Sequence, residues 1–121
     1  MSQYKFITMM DRISQTQTLG TSGVAGLRRL GLQFKAANIV SGSAVFKVQG
    51  TTNGADWAFV NLVDNLSNTN SQNLTRVASK TLSANSNVLM WVDEGLALRA
   101  IRVSATITTD GSYSAYLIAS E

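Results

Sequence analysis

One segment constrains this chain more than any other: residues 44–62, AVFKVQGTTNGADWAFVNL. Ala44, Phe46 and Val48 alternate with Val45, Lys47 and Gln49, a Gly/Asn-rich turn follows, and a second run starts at Trp57 and ends at Leu62. Alternation with period two, broken by a turn cluster, is the pattern of antiparallel strands, because successive strand side chains point to opposite faces. The same grammar recurs along the chain. Leu30, Leu32 and Phe34 alternate with Arg29, Gly31, Gln33 and Lys35. Further strand-like runs occupy 74–82, 88–92, 97–107 and 113–119, and in the third of these Ile101, Val103 and Ile107 form the inward face. Between the last two, Asp110-Gly111 supplies the positive φ of a tight turn and predicts a hairpin. The expected fold is all-β: an antiparallel β-sandwich or jelly roll of about eight strands.

The N-terminal region reads differently. Residues 1–13 alternate loosely, as a first strand or an extended N-terminal arm, and 14–26 are polar and glycine-rich, as in a flexible connection. The expected division is therefore 1–26 as strand or arm plus connection, and 27–121 as the sandwich domain. Gly20, Gly23 and Gly26 match neither the dinucleotide fingerprint nor a P-loop.

Composition narrows the function. Histidine and cysteine are both absent, which excludes the Ser-His-Asp and Cys-His nucleophiles, disulfides and conventional zinc sites. The acidic candidates Asp56, Asp64, Asp93, Glu94 and Asp110 each stand beside a turn former, where a carboxylate serves the local backbone rather than a paired glycosidase mechanism. Asp93 and Glu94 are the only acidic neighbours with the oxygens for a calcium ion, and no EF-hand loop surrounds them. The expectation is a non-enzymatic protein with no catalytic residue, cofactor or metal. No apolar run approaches the ~20 residues that span a bilayer, and the first ten residues lack the pattern of a secretion signal. Asn65 and Asn73 begin acceptor triplets that are expected to go unmodified.

Charge gives a weaker signal. Net charge is +3, and charged residues are 14% of the chain while Ser and Thr number 26. A surface of hydroxyls and amides lets copies approach without desolvating many charges. The basic residues do not form the run expected for nucleic-acid binding. Arg28, Arg29, Lys35, Arg99 and Arg102 are instead candidates for partner contacts, arginine being suited to interface forks. Trp57 is expected to plug one end of the core, and Trp91 to pack inside the sandwich or against a neighbouring subunit. An aromatic platform for glycans is the alternative role for both.

Three motifs together carry a resemblance. Val48–Trp57 (VQGTTNGADW) resembles the strand and Asp-Gly-x-x-Trp element of discoidin-like, galactose-binding jelly rolls, and Ala97–Val103 (ALRAIRV) resembles their late Arg-x-Ile-Arg-Val strand. Small phage virion proteins carry the same pair, with a final strand similar to Ser114–Leu117 (SAYL). The resemblance covers about residues 40–119. It implies a capsid decoration (cement) or fibre protein, made in the host cytoplasm and carried in the virion. Such a protein forms a homo-oligomer, commonly a trimer, and binds the major capsid protein, with no nucleic-acid or membrane partner. A carbohydrate-binding module or adhesin is the alternative function.

Overall fold

The computed structural model describes residues 4–64, 75–92 and 98–120, and no helix occurs among them. Eleven strands are described there: β1 (Tyr4–Ile13), β2 (Gln17–Gly23), β3 (Arg29–Ala37), β4 (Ser43–Thr51), β5 (Ala58–Phe59), β6 (Leu62–Asp64), β7 (Thr75–Val77), β8 (Lys80–Leu82), β9 (Ser86–Val92), β10 (Ala100–Thr108) and β11 (Ser112–Ser120). They form two antiparallel sheets. The first has the order β1-β11-β3-β9-β6-β7, and the second β2-β10-β4-β5, with β8 also paired to β4. The sandwich is as the alternation predicts. Four of the eleven, β5 to β8, are short pieces of two or three residues, which lifts the count above the expected eight.

Alternation decides the packing. In β3, Leu30, Leu32, Phe34 and Ala36 point inward, and in β4 Ala44, Phe46 and Val48 do. Ile101, Val103 and Ala105 of β10 complete the facing layer, with Ile107 packed at its edge. The sheets meet at a ring contact: Phe34 stacks on Phe46 with centroids 4.5 Å apart, and Tyr113 meets Phe46 edge-on at 6.3 Å. Each buried ring contributes about 1.5–3 kcal/mol of transfer free energy.

Residues 4–13 form a first strand, one of the two forms their alternation allows, and residues 17–23 form a second strand where a flexible connection is expected. β1 pairs with β11 from Tyr4↔Ser120 to Ile13↔Tyr113, and β2 pairs with β10, so the segment supplies one edge strand to each sheet. The polar sequence of β2 hid it. An edge strand can be hydroxyl-rich because its role is to satisfy one side of β10's backbone. Two register shifts in β1 leave both Met9 and Met10 buried where strict alternation would expose one.

The Asp110-Gly111 turn is likewise no hairpin. β10 belongs to the second sheet and β11 to the first, so residues 109–111 arch across the sandwich. A second crossover, residues 38–42 between β3 and β4, lies beside it. Asp110 joins the two. Its Oδ1 accepts from the backbone N–H of Val40 (3.1 Å), Ser41 (3.3 Å) and Gly42 (2.9 Å), and its Oδ2 accepts from Ser41 (3.2 Å). Ile39 N–H donates to Asn85 Oδ1 at 3.0 Å, so four successive amides are held. A side chain at Gly42 would collide with the backbone of Asp110. The Val40 amide does most to hold the Asp110 carboxyl below its ordinary range; partial desolvation opposes it, and Ser41 and Gly42 add to it. Tyr113 Oη donates to Asp110 O at 2.8 Å, and burial, then the nearby carboxylate, raises its pKa.

Candidate functional site

The outward face of the first sheet is where polar residues should be, yet much of it is apolar. Register builds two rows across the strands. One runs Phe6–Ile118–Gly31–Trp91, and the other Thr8–Tyr116–Gln33–Leu89. Phe6, Leu89 and Ile118 remain 62%, 54% and 50% exposed. The Phe6 and Tyr116 rings lie nearly parallel, 14° apart, at 6.3 Å. Gly31 lacks a side chain at the centre of the first row, and a Cβ there would stand 3.2 Å from Ile118 Cγ2. The result is an apolar trough of about 340 Å³ between Phe6, Ile118, Trp91 and Leu89. An adjoining hollow of about 350 Å³ opens toward Arg28 and Arg29, with Trp91 and Ile118 as its apolar walls. Both arginines are exposed, and Arg28 is anchored by its amide, which donates to Ser120 O at 2.9 Å. Exposed aromatics clustered with arginine are the composition of interface centres.

Lys35 does not join Arg28 and Arg29. It lies six residues along β3 from Arg29, roughly 20 Å away, beside Asp11 and Arg12 at the other end of the same face. Asp11 and Arg12 are themselves 3.4 Å apart and exposed.

The second sheet carries the other candidates. Arg102 is half-buried on its outer face, with its guanidinium 4.3 Å from the centre of the Trp57 ring and its Nε donating to Gln49 Oε1 at 2.7 Å. Trp57 is therefore not a core plug. β5 is only two residues long and both are exposed, so the chain enters it from outside the sandwich and the indole lies against Arg102. Phe59, opposite Gln49 in register, is 62% exposed and sits under Lys47 Nζ at 5.5 Å. Arg99 braces the turn before it: its Nη1 donates to Asn53 O at 3.3 Å. The same turn is closed by Asn53 Oδ1, which accepts from the amides of Ala55 and Asp56, both at 2.8 Å. The Asp56 carboxylate accepts from the Asn53 side-chain amide at 2.8 Å within its own turn, whereas that of Asp110 holds the backbone of the distant 38–42 crossover and not the local backbone its neighbours predict.

The tryptophans and arginines therefore divide between the sheets: Arg28, Arg29 and Trp91 on one, Arg99, Arg102 and Trp57 on the other. The sequence-derived candidates omitted Phe6, Leu89, Tyr116 and Ile118, whose one available signal was apolar character on the outward parity of their strands. Among the described residues no group of three or more potential metal-ligating side chains occurs. The segments 65–74 and 93–97, which hold the acceptor triplets' asparagines and the calcium candidates Asp93 and Glu94, lie outside the described residues.

The chain matches no protein-family model, and no curated protein matches its sequence. Among solved structures it is similar to the crystal structure of the SPBc2 prophage-derived protein YomS, with a TM-score of 0.74 at 10% sequence identity. The alignment covers 100% of this chain and 96% of that one, so the two share a fold from end to end.

Proposed function

We propose that this chain is a non-enzymatic virion structural protein, a capsid decoration protein that self-associates and docks on the major capsid protein of a phage head. The observation that carries this reading is the apolar trough of the first sheet, an exposed aromatic and aliphatic face rimmed by Arg28 and Arg29. Solvated faces of monomers seldom concentrate such residues. The full-length fold likeness to a prophage-derived protein supports a phage setting. Many identical weak contacts repeated over a shell then stabilise it through avidity. With β1 and β2 built into the sheets, docking falls to this face and not to a free arm, and removing residues 1–26 would expose two strand edges. Co-sedimentation with heads of the encoding phage tests the reading. Leu89→Glu should reduce head binding roughly tenfold or more with unchanged circular dichroism, and undiminished binding would sink it.

One observation favours a second reading, a glycan-binding module. The exposed Phe59 ring, Gln49 and the Arg102 fork form a single cross-strand row beside Trp57, which combines a stacking surface with fixed polar groups. Glycan-array binding lost on Phe59→Ala, with head binding absent in the wild type, would favour this reading over the first.

A further inference from the structure

Val40 is 90% exposed, the most exposed large apolar side chain among the described residues. It stands on the 38–42 crossover, a segment held by four consecutive backbone amides that donate to Asn85 Oδ1 and the Asp110 carboxylate. An isolated exposed valine is ordinary. A valine presented at the tip of a braced loop is a pre-ordered knob, because the entropy of fixing the loop is already spent in folding. The hollow between Trp91, Ile118, Arg28 and Arg29 lies toward the opposite end of the sandwich. From Gly31 in that hollow to Ala37, where β3 ends below the knob, is roughly 20 Å of strand. Knob and hollow therefore cannot meet within one molecule.

We propose that a second copy of this chain fills the hollow, its Val40 tip seated between Trp91 and Ile118. This rests on the self-association reading above and specifies its geometry. Charge complements the fit: the Asp110 carboxylate underlies the knob, and Arg28 and Arg29 rim the hollow. Ser41 and Gly42, which follow Val40, are small enough to let the tip enter. Because the two surfaces differ and lie at opposite ends, the contact is heterologous. It joins copies head to tail, and closes a ring if the rotation per step allows. A face-to-face dimer through the trough would instead use one surface twice.

Two single variants and their mixture separate these geometries. Val40→Arg and Ile118→Arg each change a solvent-facing side chain, and circular dichroism with thermal unfolding checks that each folds as the wild type does. Solution mass is then measured by light scattering over a range of concentrations. Each variant alone should associate at least roughly tenfold more weakly than the wild type. Mixed in equal amounts they should form one-to-one pairs and nothing larger, since the intact Val40 of one fits the intact hollow of the other. Three results would overturn the contact: Val40→Arg assembling like the wild type, a mixture that stays monomeric, or a wild type that is monomeric at every concentration. Head co-sedimentation of the same wild-type sample then decides the decoration reading separately.

Discussion

Phe46→Ala tests the link between strand parity and stability in its sharpest form. The ring is fully buried between the sheets, stacked on Phe34 at 4.5 Å and met edge-on by Tyr113 at 6.3 Å. Truncating a buried phenylalanine costs about 3–5 kcal/mol, the transfer loss plus the cavity. The two ring contacts, each worth about 0.5–1.5 kcal/mol, place this site toward the upper end. An unfolding entropy of about 2.1 cal/mol/K for each of the 121 residues totals about 0.25 kcal/mol/K, so the midpoint should fall by about 12–20 °C. Phe59 is the internal control. It pairs with β4 across the opposite face, is exposed, and contacts only Lys47 among the described aromatic interactions. Phe59→Ala should lose at most about 1 kcal/mol, or ~4 °C. Thermal unfolding followed by circular dichroism reads both, with Phe46→Leu in reserve if the alanine variant does not fold. Equal shifts for the two positions, or a Phe46→Ala shift under about 4 °C, would refute the assignment of faces.

Four further perturbations probe the end clip and the second sheet. Gly42→Ala places a methyl on the Asp110 backbone and should cost more than about 2 kcal/mol, a fall of roughly 8 °C or more; a neutral result would mean the two crossovers are not in contact. Asp110 has a folded-state pKa below its unfolded value, so its contribution is complete above about pH 4 and is lost as pH falls through the lowered value. Asp110→Asn should therefore flatten the acid limb of the stability curve, and a limb parallel to the wild type's would contradict the clip. Tyr113 carries the opposite sign: its raised pKa favours the fold fully below about pH 10 and stability declines as pH rises beyond that, a decline that Tyr113→Phe should reduce. Arg102→Ala, made in a Trp91→Phe background, should uncover one face of Trp57 and raise its acrylamide quenching; unchanged quenching would show that the guanidinium does not cover the ring.

The parts of the fold legible in the sequence are those whose two faces meet different solvents. β3, β4 and β10 each have one face on the core and one in water, so their apolar residues alternate, and Phe34, Phe46 and Val103 fall on the predicted side. Legibility ends where local chemistry is shared by two architectures. Asp110-Gly111 turns the chain equally well into a hairpin or across the sandwich. What distinguishes the outcomes is the bond set to Val40, Ser41 and Gly42, about seventy residues earlier. Trp57 failed for the same reason. An aromatic after a turn usually enters a core, and the guanidinium that holds this one outside comes from Arg102, on a different strand. The trough needs more still, because Phe6, Ile118, Gly31 and Trp91 lie on four strands and become neighbours only through three registers.

The two outward faces allow one more step. Both sheets are built from the same kind of antiparallel ladder, so the backbone places the same demands on their solvent sides. On the second sheet the central strands β4 and β10 turn Lys47, Gln49, Arg102 and Ser104 to that side, where Lys47 lies over Phe59 and Arg102 over Trp57. On the first, the corresponding positions hold Phe6, Ile118, Leu89 and Trp91 around a glycine. The central strands of the second sheet stand with polar residues facing water, and surface substitutions away from special features shift stability by only about ±0.5 kcal/mol. The apolar rows are thus not required by the fold that displays them. Exchanging Phe6, Leu89 and Ile118 together for Thr should accordingly leave the unfolding midpoint within a few degrees while head binding and self-association fall together. A midpoint that collapses instead would make the face part of the fold's own stability and remove the case for a partner.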